Sequence, residues 1–530
     1  MNWWRIWRHL PNRALYLILV ALCIPACWIN LDLMPFIGDE GIRSGVALEM
    51  HLSGNYLMPT LNGEPYFNKP PLYNWILLGA HTISGTFDEW TARNTTLLFL
   101  LLFAATVFWH MRSAFGTHAG VLGAFMLVTS GRILFWDAML GLIDICFSWL
   151  MYLNWMVLYT YGRKNRYWPM FVLSYGLTAL GFLLKGLPAL VFQAISLPVA
   201  LYLLGRTRAL FQWSHMVGIA TGLVLGGAYY LVYARQVSLD TAFSVLLDQS
   251  LQRTVTHYSW ADTLMHLITF PFEQVYHFLP WSILVVFIAH PSVRQYIAGS
   301  AFVRFNAWML VANLPVYWSA VEVYARYLLM FIPLFNTVFW YVYQQLTNSQ
   351  SRWSAVLNKV FTAVIALTAL ATAAAPAVPR LHQLPGMWWF WVSLTVPALV
   401  ILWGGLADPR RILLWTVGAV LVARIGLNVF VLPFRVQEAR YGYSREQATH
   451  AAALYPNHTW HIYKGTVMDN TARFYLENAL QQIVTRTDSL KPGAVYLVES
   501  EAYPDFPGSA VDSILISGHI WIGVYLHNPE

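Results

Sequence analysis

Apolar residues in this chain come in long runs, not in alternation. Near-continuous apolar segments recur at 14–32, 93–111, 117–131, 139–161, 169–184, 188–204, 214–233, 276–290, 305–319, 327–345, 355–376, 387–405 and 412–432. A hydrocarbon layer of about 30 Å needs about 20 apolar helical residues. In lipid only helices and closed barrels satisfy every backbone group. A barrel needs alternation over about ten residues per strand, which these runs lack. The pattern predicts an all-α polytopic membrane protein with thirteen spans. Three polar intervals interrupt it, at 33–92, 234–275 and 435–530. The first two read as amphipathic helices lying on the membrane. The third has strand-like runs at 459–465, 494–500 and 519–527 and a helical run at 469–483, the pattern of a small α/β domain. The expected division is a transmembrane domain, 1–434, followed by a domain outside the membrane, 435–530.

Composition agrees with that picture. The chain is 58% hydrophobic and 11% charged, where a soluble domain carries about 25% charged residues. The net charge of +7 is spread over short loops, so no basic patch for nucleic acid is expected. If the N-terminus lies inside, the inside loops hold Arg5, Arg8 and Arg13, then Arg112, Arg163, Lys164, Arg166, Arg206 and Arg208. Arg294, Arg304, Arg352, Lys359, Arg410 and Arg411 follow. Every inside loop then carries a positive charge, as cytoplasmic loops do. The opening "MNWWRIWRHLPNR" is basic and has no small-residue cleavage site, so the first span is expected to stay attached. Cys23, Cys27 and Cys146 lie in apolar runs and suggest neither disulfides nor zinc.

The chemistry gathers outside. Residues 35–78 hold Asp39, Glu40, Arg43, Glu49 and Lys69 among Gly and Pro turns. Adjacent carboxylates can supply a general base or a metal ligand, although acids also favour a helix N-terminus for its dipole. Lys69 precedes a double Pro, at a helix start where a cation and free N–H groups suit a phosphate. Tyr66 and Asn68 flank it. Arg132, Asp137 and Asp144 sit in "SGRILFWDAMLGLIDICF", and an acid near an apolar run usually faces a polar cavity. Lys185, Arg253 with His257 and Tyr258, and Arg326 with Glu322, Tyr324 and Tyr327 fall at other outer ends. Cations on the outer face run against the usual bias, and together they suggest an anionic ligand.

The stretch "DEGIRSGVALEMHLSGNYLMPTLNGEPYFNKPPLYNW" resembles the first outer loop of bacterial GT-C-type glycosyltransferases. The nearest groups are the lipid A aminoarabinose transferases and the protein O-mannosyltransferase-like enzymes. "GRILFWD", "FLLKGLP", "HFLPW" and "YARYLLMFIPLF" follow in the family's order, so the resemblance runs over residues 10–340. Asn68 stands where the aminoarabinose group has an acid, and Arg43 is displaced by one residue. The resemblance therefore implies the broader transferase, with the sugar and acceptor unspecified. It implies a polyprenyl-phosphate-linked sugar donor and a glycolipid (lipid A included), glycan or protein acceptor. Transfer would occur with inversion on the periplasmic side of the bacterial inner membrane, by a monomer whose C-terminal domain is periplasmic. Asp39 would be the base, Glu40 and Asp137 would assist, and Lys69 and Arg253 would hold the phosphate. Arg43, Tyr66, Asp144, Lys185, Arg326 and Tyr327 would line the substrate pocket. No cofactor is expected: the acids could hold a divalent metal, but the outer Lys and Arg supply positive charge without one.

Two other classes compete. A transporter or flippase of lipid-linked sugars should show matching broken helices in two halves and polar residues at the midplane. A non-enzymatic envelope protein has no need of an acid and a base on one loop.

Overall fold

The computed structural model describes residues 11–235, 240, 244–245, 259–438, 440–508, 510–516 and 520–527. Helices dominate. Among the described residues, seven helices are long and apolar enough to cross a membrane. The count is nine if each of two bent pairs is one span, Thr117–Val128 with Gly131–Met139 and Val293–Gly299 with Ala301–Trp318. Asn12–Trp28 and Pro188–Leu203 are shorter apolar helices. The coarse expectation of a multi-pass helical protein is met, but not every apolar run is a straight span. The run at 276–290 is divided between the end of the Trp260–His277 helix and a 3-10 helix, Trp281–Ala289. At about 2.0 Å rise per residue, those 9 residues reach about 18 Å, well short of the hydrocarbon layer.

The first polar interval folds into two helices, Asp39–Ser53 and Leu72–Ser84, joined by a hairpin of β1 (Thr60–Leu61) and β2 (Glu64–Pro65). Gly38 makes the entry to the first helix possible: its φ of 58° and ψ of −120° suit glycine. In the second interval, Trp260–His277 leaves Trp260, Leu264, Met265, Ile268 and Phe272 exposed. That exposed apolar face suits the bilayer.

The chain closes with a five-stranded sheet of β3 (Trp460–Tyr463), β4 (Thr485–Thr487), β5 (Ala494–Glu499), β6 (Ala510–Ile516) and β7 (Ile520–His527). The order is β4-β3-β5-β7-β6. β3 runs parallel to both β4 and β5, whereas β7 runs antiparallel to β5 and β6. Helices Arg440–Leu454 and Asn470–Leu480 accompany it. Asn470–Leu480 packs directly on Asp39–Ser53, so the end of the chain lies against its first polar loop.

Candidate active site

Four helix ends bring charges together. Asp39 and Glu40 open the Asp39–Ser53 helix, and Asp144 opens Ile143–Arg163. Lys185 is the last residue of Tyr167–Lys185, and Arg326 lies in the 3-10 turn Ala325–Phe331 that leads into Ile332–Asn348. Acids thus sit at helix N-termini and Lys185 at a C-terminus, the arrangement the helix dipole favours.

The contacts form a chain. Arg326 Nη2 donates to Asp39 Oδ2 at 2.6 Å, and its Nε stands 3.6 Å from Asp144 Oδ2. Lys185 Nζ donates to Asp144 Oδ1 at 2.5 Å. The ammonium also sits 3.9 Å from the Tyr327 ring centroid, a cation–π contact. Asp144 and Lys185 are buried, whereas the Asp39 side chain is 44% exposed. The Asp39 carboxylate is therefore the open member of the set. Asp137 is buried on Arg132, which donates to it at 3.0 Å, and it lies within electrostatic reach of Asp144 and Arg326. Arg43 is within reach of Asp144 and stacks 5.8 Å from the Tyr66 ring. The carboxylates of Asp39, Asp137 and Asp144 thus meet Arg43, Arg132, Lys185 and Arg326. The cluster carries a formal positive surplus before Lys69 is added.

Lys69 is half-buried in the turn before Leu72–Ser84. That segment is fixed from both sides: Tyr66 N donates to Pro59 O at 2.8 Å, and the Phe67 ring meets Tyr233 edge-on at 6.5 Å. Arg253, His257 and Tyr258 lie outside the described residues.

Glu40 has a different place from its neighbour. It is fully buried. Arg93 donates to it from Nε and Nη2, both at 3.1 Å. Gly141 N and Ile37 N donate to the same carboxylate at 2.6 and 2.9 Å. The remaining Arg93 hydrogens go to the carbonyls of Leu31, Met34 and Pro35. Glu40 is thus saturated by the scaffold, which leaves it no face for a substrate. Sequence reasoning passed over Arg93, although an arginine inside an apolar helix signals a buried partner. It also passed over Arg473, which pairs with Glu49.

Among the described residues, no group of three or more His, Cys, Asp and Glu side chains could hold a metal ion.

Known proteins share parts of this sequence and its fold. Residues 68–233 match the family described as dolichyl-phosphate-mannose-protein mannosyltransferase. No curated protein matches the chain. Among solved structures, the fold is similar to that of ArnT from Cupriavidus metallidurans bound to undecaprenyl phosphate. Identity is 19%, coverage 97% of this chain and 99% of that one, and the TM-score 0.71. The apo form of the same protein aligns with a TM-score of 0.67 at 18% identity, covering 97% of this chain and 99% of that one. The fold is ArnT-like along nearly the whole chain.

Proposed function

We propose that the protein is a membrane glycosyltransferase that moves a sugar from a polyprenyl-phosphate donor to an acceptor at the outer membrane face. The observation that carries this reading is the cluster above: one accessible carboxylate, Asp39, held by Arg326 beside a buried ionic core with surplus positive charge. The ArnT relative with bound undecaprenyl phosphate supports the same donor class. Arg326 occupies Oδ2 of Asp39 and leaves Oδ1 for an acceptor hydroxyl. A carboxylate so held can orient that hydroxyl and take its proton as the oxygen attacks the anomeric carbon. The leaving group is a phosphate ester. It departs as an anion, so stabilising its charge matters more than protonating it. Lys69, with Arg253, is assigned to that task, and Arg43 and Lys185 keep the local potential positive. Asp144 anchors Lys185 and Arg326, and Asp137 anchors Arg132.

At the Ala325–Phe331 turn lies an apolar cavity of about 200 Å³, walled by Phe270, Phe278, Trp318, Leu328, Phe331 and Phe335. Its chemistry suits an isoprenoid chain whose phosphate reaches the cluster. We further assign the ends of these helices and the C-terminal sheet to the periplasmic side of the inner membrane, with the N-terminus cytoplasmic. All thirteen apolar segments are read as membrane-embedded, whether straight or broken, and residues 435–530 as one α/β domain. A monomer suffices for this chemistry. A flippase is not favoured, because the ionic cluster gathers at helix ends, whereas a transporter's polar groups belong at the bilayer midplane.

The test is transfer by the purified protein from polyprenyl-phosphate sugars to lipid, glycan and peptide acceptors. Asp39→Asn should lower kcat by about 10²–10⁴-fold, the range of a lost general base, with the fold intact. Full activity in that variant would remove Asp39 from the mechanism. Lys69→Ala should weaken donor binding, and unchanged donor affinity would refute its phosphate role.

A further inference from the structure

One helix of the C-terminal region grips the first polar loop at both of its working ends. Upstream, Tyr475 accepts from Phe36 N at 2.8 Å, and Thr471 Oγ1 donates to Phe36 O at 3.4 Å, three residues before Asp39. The Phe36 ring packs edge-on to Phe474 at 4.9 Å. Tyr475 in turn donates to Glu89, which also pairs with Arg445 at 3.1 Å.

Downstream, the grip passes through charge. Arg473 and Glu49 are fully buried, and Arg473 Nη1 donates to Glu49 Oε1 at 2.6 Å. Glu49 accepts from Asn62 N at 2.7 Å and from Gly63 N at 3.1 Å. Those two residues are the turn between β1 and β2, and the strand after it runs straight into Tyr66–Lys69. The tip of the turn also rests on β4: a Cβ on Gly63 would lie 2.9 Å from Thr485 Cγ2. The Asp39–Ser53 helix makes room for the guanidinium, since a Cβ on Gly45 would stand 2.5 Å from Arg473 Nη2.

This arrangement is costly as adhesive. Arg473 Nε and Nη2 and Glu477 Oε2 are buried with no hydrogen-bond partner among the described residues. Apolar side chains of similar volume would join two helices at least as strongly as a buried ion pair. What an apolar contact cannot do is hold two backbone N–H groups in a fixed place. We propose that Arg473 is a positioning residue. Acting through Glu49, it holds the Asn62–Gly63 turn and so sets the place of the Tyr66–Lys69 segment against the donor phosphate, a role that rests on the transferase reading above.

The experiment uses the full chain in detergent or nanodiscs, with donor KM, kcat and amide hydrogen exchange over residues 59–69 as readouts. Arg473→Met should raise donor KM by about 10-fold or more, change kcat much less, and strip protection from Asn62 and Gly63. Arg473→Lys should recover much of both. A folded Arg473→Met protein with unchanged donor KM and unchanged protection overturns the proposal. Should that variant fail to fold, Glu49→Gln and Gly45→Ala disturb the same link more gently. Wild-type KM and protection in both would overturn it equally. If the wild type transfers no polyprenyl-phosphate sugar, the transferase reading fails, while the exchange data still decide whether Arg473 holds the turn.

Discussion

Two adjacent acids show how far one residue step carries. Successive residues on a helix point about 100° apart. Asp39 is 44% exposed and meets Arg326; Glu40 is wholly buried on Arg93 and two backbone N–H groups. Sequence treats them as a pair, because both suit the start of a helix and both could serve as a base. What separates them is partners 287 and 53 positions away, which no local pattern reveals. The same distance explains why Asp144, Lys185 and Arg326 were each legible as charges at the ends of apolar runs while their joining was not. The two acids should therefore fail differently. Removing Glu40 leaves Arg93 buried without its counter-charge, a loss of about 3–5 kcal/mol for a broken buried pair. Glu40→Ala should give a clearly lower Tm and less monodisperse protein, whereas Asp39→Asn keeps the Tm and loses turnover. A Glu40→Ala protein of wild-type Tm with abolished transfer would return Glu40 to the chemistry.

Elements were legible where burial imposes a period. The long apolar helices and the strands β3, β5 and β7 appear in the sequence because their buried positions follow one another closely or alternate. β4 is three residues long and β6 is a sheet edge whose first residues are exposed, so neither carries a strong pattern. Trp281–Ala289 misled for the opposite reason: hydropathy reports the preference for lipid and says nothing of whether the backbone is α or 3-10. The contact between Asp39–Ser53 and Asn470–Leu480 was hidden too, since it depends on missing atoms. A Cβ on Gly41 would lie 2.9 Å from Thr471 N and 3.0 Å from Asn470 C, both backbone atoms that cannot rotate aside. Gly41→Ala must push the two helices apart, at about 1–3 kcal/mol for an overpacked contact. The expected result is a lower Tm and faster proteolysis between residues 435 and 470. An unchanged Tm would mean that the helices already separate readily.

At the scale of the molecule, the first polar loop and the C-terminal region share one polar seam, and that seam should respond to pH. Glu477 lies in it, fully buried, with Val484 N donating to it at 3.1 Å and Arg473 Nη1 3.8 Å away. Burial pushes its carboxyl up to about 8, against the pull of Arg473 and with a further push from the charge of Glu49; an ordinary glutamate titrates near 4.5. The folded protein thus holds a proton that the unfolded chain has already released. Stability from this group is complete below about 4.5 and falls as pH rises towards 8, levelling off above it. The slope approaches one proton's worth between those limits. Thermal unfolding of the full chain between pH 5 and 9 should show Tm declining over that window, and Glu477→Gln, which cannot ionise, should flatten the decline. A wild-type Tm that is level or rising across the window would mean that Glu477 is already charged in the fold. Arg473 would then be neutralising both acids at once, and the seam would be tied more tightly than its distances suggest.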